Sequence, residues 1–153
     1  MTECYTYFRV IMVKKKDTNE ILERLTASKS FSQFVRQNQD DLITKPLTDY
    51  LNQLLQEKGM SKPEVIRRAE MNEIYGYQIF AGKRQPSRDK LIALSLGFQL
   101  ALDEIQQLLK YSGAAPLYPK NKRDAIIIFG ILHGKGVVEI NDQLYDEGMK
   151  TLD

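Results

Sequence analysis

Apolar and polar residues follow a helical repeat along most of the chain, and the clearest repeat covers residues 47–58. Five apolar side chains recur there at i, i+3, i+4, i+7 and i+8, namely Leu47, Tyr50, Leu51, Leu54 and Leu55. This spacing places them on one face of an α-helix. Pro46 suits the first turn of that helix, and Gly59 suits its end. The pattern therefore predicts an amphipathic helix over residues 47–58.

Two shorter helical patterns follow almost without a gap, over residues 61–69 and 72–81. Ser61 can cap the first helix by accepting a free backbone N–H. Glu64, three residues later, completes the pattern of a capping box, in which the carboxylate reaches back to the N–H of the cap. Asn72 is an equally good cap for the second helix.

The second of these helices leads into a short basic segment. Gly82 is suited to end the helix, and Pro86 blocks its continuation. Lys83 and Arg84 lie between them, and Arg88 follows shortly after. A helix, a tight turn, a second helix and a basic exit together form the outline of a helix-turn-helix.

Two further helices are predicted downstream, over residues 87–97 and 101–111. Ser87 can cap the first of them, and Gly97 is expected to close it. Gly113 is expected to close the second. With the three preceding helices, this gives five helices of ordinary length between residues 46 and 113.

The last part of the chain predicts a helical hairpin after a non-helical linker. Residues 114–121 contain two prolines and cannot be helical. The apolar run at residues 124–133 fits a buried strand as well as a helix, but Gly134 suits a helix C-terminus and therefore favours a helix. A second helix is expected over residues 137–147. This apolar hairpin is expected either to pack on the preceding domain or to form a dimer interface.

The beginning of the chain is less regular. Residues 1–13 are rich in aromatic and β-branched side chains and alternate in part, so a short strand is possible. An alternative is that Met12 is the natural start of the protein. Residues 14–16 are three lysines, expected to be solvated or to form a basic arm. Residues 18–38 predict two short helices.

We therefore predict an all-α protein in four segments: a poorly ordered or extended segment at residues 1–17, an N-terminal helical hairpin at 18–45, a five-helix helix-turn-helix domain at 46–113, and a linker with a C-terminal helical hairpin at 114–153.

Composition narrows the class of protein only moderately. Of the 153 residues, 42% are apolar, and no apolar run approaches the ~18 residues that span a bilayer, so we expect no membrane association. The single cysteine, Cys4, fits a reducing cytoplasm. Residues 46–98 carry eight Lys and Arg against six Asp and Glu, a net charge of +2, whereas residues 99–153 carry six against eight, a net charge of −2. The predicted helix-turn-helix is thus mildly basic.

The sequence contains no recognisable catalytic group. His133 is the only histidine and is far along the chain from Cys4, so neither a histidine-based metal site nor a Cys–His pair is expected. His133 is expected to cap the end of its helix. The acidic pairs at residues 103–104 and 146–147 lie on predicted helix surfaces without a partner base or nucleophile. We therefore expect no enzyme activity, no cofactor and no metal.

Residues 46–98 resemble the helix-turn-helix of the phage repressor and Cro-type regulators, often called the Xre family. The most specific match is GKRQPS at residues 82–87, and Val65, Ile66 and Ile79 match the apolar positions of the second and third helices. The strong resemblance covers about a third of the chain. More loosely, the chain from residue 47 onward looks like small bacterial regulators of transcription.

The resemblance implies that the helix at residues 72–81 lies in the major groove of double-stranded DNA, with the protein acting as a homodimer. The residues it places against base edges are Glu73, Ile74, Tyr77 and Gln78. The residues it places against phosphates are Lys62, Lys83, Arg84 and Arg88. An amide such as that of Gln78 can pair bidentately with adenine, and Ile74 can touch a thymine methyl group.

Four residues depart from the pattern of that family. Ile66 stands where alanine is usual, Glu70 where glycine is usual at the turn, and Gly76 where a packing residue is usual. Glu73 would bring a carboxylate close to phosphates, which repel it unless it accepts a hydrogen bond from a cytosine amino group. Two hypotheses follow: a sequence-specific DNA-binding transcriptional regulator, or a non-catalytic adaptor that uses the same fold to bind a protein partner.

Overall fold

The computed structural model describes residues 17–43 and 45–153, and the regular elements in these ranges are all helices. The predicted all-α class is confirmed for this part of the chain. The possible strand at residues 1–13, the alternative start at Met12 and the lysines at 14–16 lie outside the described residues. Contacts divide the chain into two compact units, Met1–Thr44 and Lys45–Asp153. No helix within the described ranges is long and apolar enough to cross a membrane.

The first unit contains the two short helices that the sequence predicts. They are α1 (Thr18–Ala27) and α2 (Phe31–Gln37), and a short 3-10 helix follows at Gln39–Asp41. The hydroxyl of Ser30 caps α2 by accepting from the N–H of Gln33 at 3.2 Å. Among the apolar side chains described in this unit, only Phe34 is fully buried.

The second unit contains seven helices. They are α3 (Leu47–Lys58), α4 (Lys62–Arg68), α5 (Glu73–Phe80), α6 (Arg88–Gly97), α7 (Leu102–Tyr111), α8 (Lys122–Leu132) and α9 (Val137–Asp146). Buried side chains from all seven belong to one continuous apolar core. The linker and hairpin at residues 114–153 therefore share a core with the five preceding helices, and the hairpin packs on them.

Local capping explains where the central helices begin. Ser61 accepts from the N–H of Glu64 at 3.4 Å, Asn72 accepts from the N–H of Tyr75 at 3.1 Å, and Ser87 caps α6 in the same way. The second half of the capping box at Ser61 was predicted wrongly. The carboxylate of Glu64 reaches forward to the guanidinium of Arg68 at 3.1 Å, since an i,i+4 ion pair lies on the same helix face.

Helix α6 is the centre of the second unit and contacts α4, α7 and α9. A Cβ on Gly97 would lie 2.5 Å from the backbone oxygen of Val65, so only glycine permits the close crossing of α6 over α4. The helix does end at Gly97, as predicted, but the glycine is needed for this close approach and not for a left-handed helix end. Gly97 is the last helical residue, and the left-handed position beyond it belongs to Gln99, with φ of 58°.

The C-terminal hairpin consists of two helices, so the choice of helix over strand for the run at residues 124–133 is confirmed. Helix α8 contacts α7, and α9 contacts α6. Nδ1 of His133 lies 2.8 Å from the backbone oxygen of Phe129, and His133 is the C-cap of α8, as predicted. A Cβ on Gly130 would lie 2.5 Å from Cγ1 of Ile140, which shows how closely α8 and α9 approach.

Two ion pairs join α8 to the first turn of α6. The guanidinium of Arg88 donates to both carboxylate oxygens of Asp124, at 3.1 and 2.8 Å. The guanidinium of Arg123 donates to the carboxylate of Asp89 at 2.9 Å. We call these four residues the clasp. Each helix contributes one arginine and one aspartate, and each arginine binds the aspartate of the other helix.

The turn between α4 and α5 contains a strained residue, and we expect its replacement by glycine to stabilise the protein. Glu70 has φ of 52°, a left-handed conformation that costs a residue with a Cβ about 1–2 kcal/mol. Part of that gain is offset by the greater freedom of glycine in the unfolded chain. Glu70→Gly should therefore raise the free energy of unfolding by about 0.5–1 kcal/mol, measured by urea denaturation. Glu70→Ala removes the same charge, and equal stability of the two variants would contradict the explanation.

Candidate nucleic-acid interface

Helix α5 has one buried face and one exposed face. The residues buried in the core are Gly76, Ile79 and Phe80. The exposed face contains the four side chains predicted to face bases, which are Glu73, Ile74, Tyr77 and Gln78. Ile74 is 71% exposed and Tyr77 38% exposed, whereas Gln78 is half-buried. The structure thus brings these four side chains together on one helical surface, as the i, i+1, i+4, i+5 spacing requires.

The chain turns back on α5 immediately after its last residue. Gly82 has φ of 76°, and the backbone N–H groups of Lys83 and Arg84 both donate to the backbone oxygen of Gln78, at 2.9 and 3.3 Å. A Cβ on Gly82 would lie 3.1 Å from Cγ2 of Thr48, so the start of α3 lies beside this turn. The turn therefore holds the backbone of both basic residues against the end of α5.

Arg84 contacts two side chains of α5. Its Nε donates to Oε1 of Gln78 at 3.0 Å. Its guanidinium carbon also lies 5.8 Å from the centre of the Tyr75 ring, and Nζ of Lys90 lies 5.9 Å from the same centre. Cations over an aromatic ring are attracted by its quadrupole. Tyr75 and Lys90 were not predicted as site residues, although Lys90 lies in the same basic stretch of sequence.

The other two predicted phosphate contacts have different positions. Lys62 begins α4, and its Nζ lies 6.0 Å from the centre of the Phe80 ring, at the end of α5. Arg88 belongs to the clasp instead. Besides contacting Asp124, it donates through Nε to the backbone oxygen of Ala115 at 2.8 Å. The structure therefore does not bring Arg88 to the exposed face, because the linker and α8 occupy its guanidinium.

The charges around this face are mostly positive. Within residues 17–43 and 45–153, none of the basic residues Lys62, Lys83, Arg84 and Lys90 forms an ion pair. The nearest carboxylate along the chain is that of Glu73, in the first turn of α5, where negative charge interacts favourably with the helix dipole. In the part of the chain that the structure describes, these four cations thus have no carboxylate partner, while Glu73 lies where its charge stabilises α5.

The described residues contain no group of three or more His, Cys, Asp and Glu side chains that could hold a metal ion. The residues near α5 can donate hydrogen bonds, present positive charge and offer apolar contacts, which are the properties needed to bind a polyanion with exposed base edges. No protein-family model matches the chain, and neither does any curated protein or any solved structure at a significant level.

Proposed function

We propose that the protein is a sequence-specific DNA-binding transcriptional regulator with a five-helix, repressor-like helix-turn-helix domain. The observation that carries the proposal is the exposed face of α5, which lies between unpaired cations and is supported from behind by the core. A recognition helix must present side chains to base edges while its opposite face packs on the protein. Helix α5 packs one face on the core and leaves the opposite face exposed, which supports the proposal.

The side chains near α5 divide into two groups by the chemistry they offer. Gln78 and Glu73 offer hydrogen bonds to base edges, whereas Ile74 and Tyr77 offer apolar contact, for example to a thymine methyl group. Lys62, Lys83 and Arg84 offer charge to phosphates, which supplies affinity but little sequence information. Lys90 joins this second group by its position beside Tyr75. Arg88 does not, since the clasp holds it.

A homodimer would allow two copies of α5 to read half-sites about one helical turn apart on the duplex. We include this in the proposal because one helix-turn-helix contacts only a few base pairs. In such a complex Glu73 would face a cytosine, whose N4 amino group can donate a hydrogen bond to the carboxylate in the major groove.

Lys83→Ala tests the phosphate contacts. We expect it to weaken binding to all duplexes by a similar factor, because the ammonium of Lys83 contacts phosphate and not bases. The dependence of log K on log salt concentration should become less steep by about 1. The measurement is a fluorescence anisotropy titration at several salt concentrations, using duplexes selected from a random library by the wild-type protein.

Lys58→Ala provides the matched control. Lys58 is the last residue of α3, whereas Thr48, which lies beside the basic turn, is near its first residue. The two are therefore about 15 Å apart along the helix. Lys58→Ala should leave the salt dependence unchanged. An equal change in both variants would show that the effect comes from net charge and not from this face.

The second candidate function is a non-catalytic adaptor for a protein partner. It is favoured by large apolar side chains that α8 and α9 leave exposed, among them Phe129, Leu132, Val138 and Tyr145. The same titration separates the two functions. A wild-type protein that binds no duplex even at low salt would contradict the regulator and leave the adaptor.

A further inference from the structure

The side-chain amide of Gln78 has a fixed orientation. Nε of Arg84 can only donate a hydrogen bond, so the atom that faces it at 3.0 Å must be the amide oxygen Oε1. The amide nitrogen Nε2 must then point away from Arg84. No residue in the described part of the chain accepts a hydrogen bond from Nε2, so both of its hydrogens are available to a ligand.

Arg84 is itself held in place by two other contacts. Its backbone N–H donates to the backbone oxygen of Gln78, and its guanidinium lies over the ring of Tyr75. Tyr75 is half-buried and packs against the core. The orientation of the Gln78 amide is therefore connected to the core through Arg84 and Tyr75.

A free glutamine amide can rotate by 180° and exchange its donor and acceptor ends. Its nitrogen can then donate to O6 of guanine, so an amide that rotates tolerates guanine better than one that is held, and discrimination between the two bases is weaker. We propose that Arg84 is a positioning residue that prevents this rotation, so that Gln78 selects a single base. This inference rests on the proposed function, because it assigns a role in sequence selection to residues of the same face.

The expected base is adenine. An amide oxygen has two lone pairs, so Oε1 keeps one for a second hydrogen bond while Arg84 uses the other. Adenine presents an N6 donor beside its N7 acceptor, which matches one free lone pair and one N–H of Gln78. The remaining guanidinium nitrogens of Arg84 stay available to phosphate. The pair thus couples a phosphate contact to the reading of one base.

The test uses duplexes in which one base pair at a time is varied within the selected site. Gln78→Ala identifies the position that Gln78 reads, because the preference at that position alone disappears. The wild type should prefer adenine there by roughly tenfold. Arg84→Lys keeps the positive charge but loses Nε, so we expect it to reduce this preference to about twofold. The preference is a ratio of affinities for two bases at one position, so it is separate from any loss of affinity for phosphates.

Lys83→Ala is the control, because it removes a neighbouring cation but keeps the backbone N–H that donates to the backbone oxygen of Gln78. It should lower affinity and leave the base preference intact. A full preference in Arg84→Lys, or a preferred base other than adenine, would overturn the inference while leaving the proposed function standing. Absence of DNA binding by the wild type would overturn both. Thermal denaturation of each variant separates these effects from loss of folding.

Discussion

Replacing Asp124 by alanine should lower the free energy of unfolding of the second unit by about 2–4 kcal/mol. The carboxylate of Asp124 is only 9% exposed and accepts two hydrogen bonds from the guanidinium of Arg88, which is 26% exposed. It also accepts from the N–H of Tyr118 at 2.9 Å. Alanine leaves this partly buried guanidinium and the N–H without their acceptor, which costs more than the loss of the ion pair alone.

The contribution of Asp124 should also depend on pH. Burial raises the pKa of its carboxyl group, but hydrogen bonds from Arg88 and Tyr118, together with the charges of Arg88 and Arg123, outweigh burial and hold the pKa below its ordinary value of 3.8. Because the pKa in the folded protein is the lower one, the stabilisation is fully present above pH 3.8 and is lost as the pH falls through the folded value.

Urea denaturation at pH 7 and at pH values below 3.8 measures both effects. The difference in stability between wild type and Asp124→Ala should shrink as the pH falls. Lys122→Ala is the control. Lys122 lies in the first turn of α8, as Asp124 does, and it pairs with Glu147 at 3.0 Å in an exposed position. We expect it to cost less than about 1 kcal/mol. A cost for Asp124→Ala that stays constant with pH would contradict this explanation.

The comparison of Arg84 and Arg88 shows what could be predicted from the sequence. Both belong to one basic stretch, and local spacing gives them the same role. Their difference arises from Asp124 and Ala115, which lie 36 and 27 residues from Arg88 along the chain. Helix starts at Ser61, Asn72 and Ser87 depend on neighbours three residues away and were predicted well. Contacts between distant segments leave no such local signal.

The glycines illustrate the same limit. Gly59, Gly82, Gly113 and Gly134 have positive φ, as expected at helix ends. Gly97 looks the same in the sequence but is required by the approach of Val65 from another helix. The residues of the exposed face of α5 were expected from the resemblance to repressor-type regulators, and they share one face because of the helical repeat. The hydrogen bond that orients Gln78 could not be predicted, since it depends on how the chain turns back after Gly82.

Ile66 and Gly76 should show strong energetic coupling. A Cβ on Gly76 would lie 2.7 Å from Cγ1 of Ile66, which is 2% exposed in the core. The large residue on α4 and the missing side chain on α5 therefore complement each other. The departures at Ile66 and Gly76 from the repressor-like sequence pattern therefore have one explanation: the larger side chain on α4 fills the space that the missing side chain on α5 leaves.

Each single substitution should be destabilising. Gly76→Ala gains about 1 kcal/mol of helix propensity but should cost about 1–3 kcal/mol overall, because the new methyl group overlaps a buried β-branched side chain that cannot move away. Ile66→Ala leaves a cavity and should cost about 2–5 kcal/mol. In the Ile66→Ala background the added methyl group enters that cavity, so Gly76→Ala should become stabilising, with a coupling energy of about 2 kcal/mol.

Urea denaturation of the four proteins in this double-mutant cycle measures the coupling. The control cycle combines Gly76→Ala with Leu144→Ala, because Leu144 is fully buried but lies on α9, whose main contacts are with α8 and α6. Its two costs should add. If Gly76→Ala costs the same in the wild type and in the Ile66→Ala variant, neighbours other than Ile66 restrict Gly76. A restored stability accompanied by altered DNA affinity would show that, in the proposed regulator, this contact also sets the angle at which α5 is presented, since Ile66 lies against Gly76 of α5.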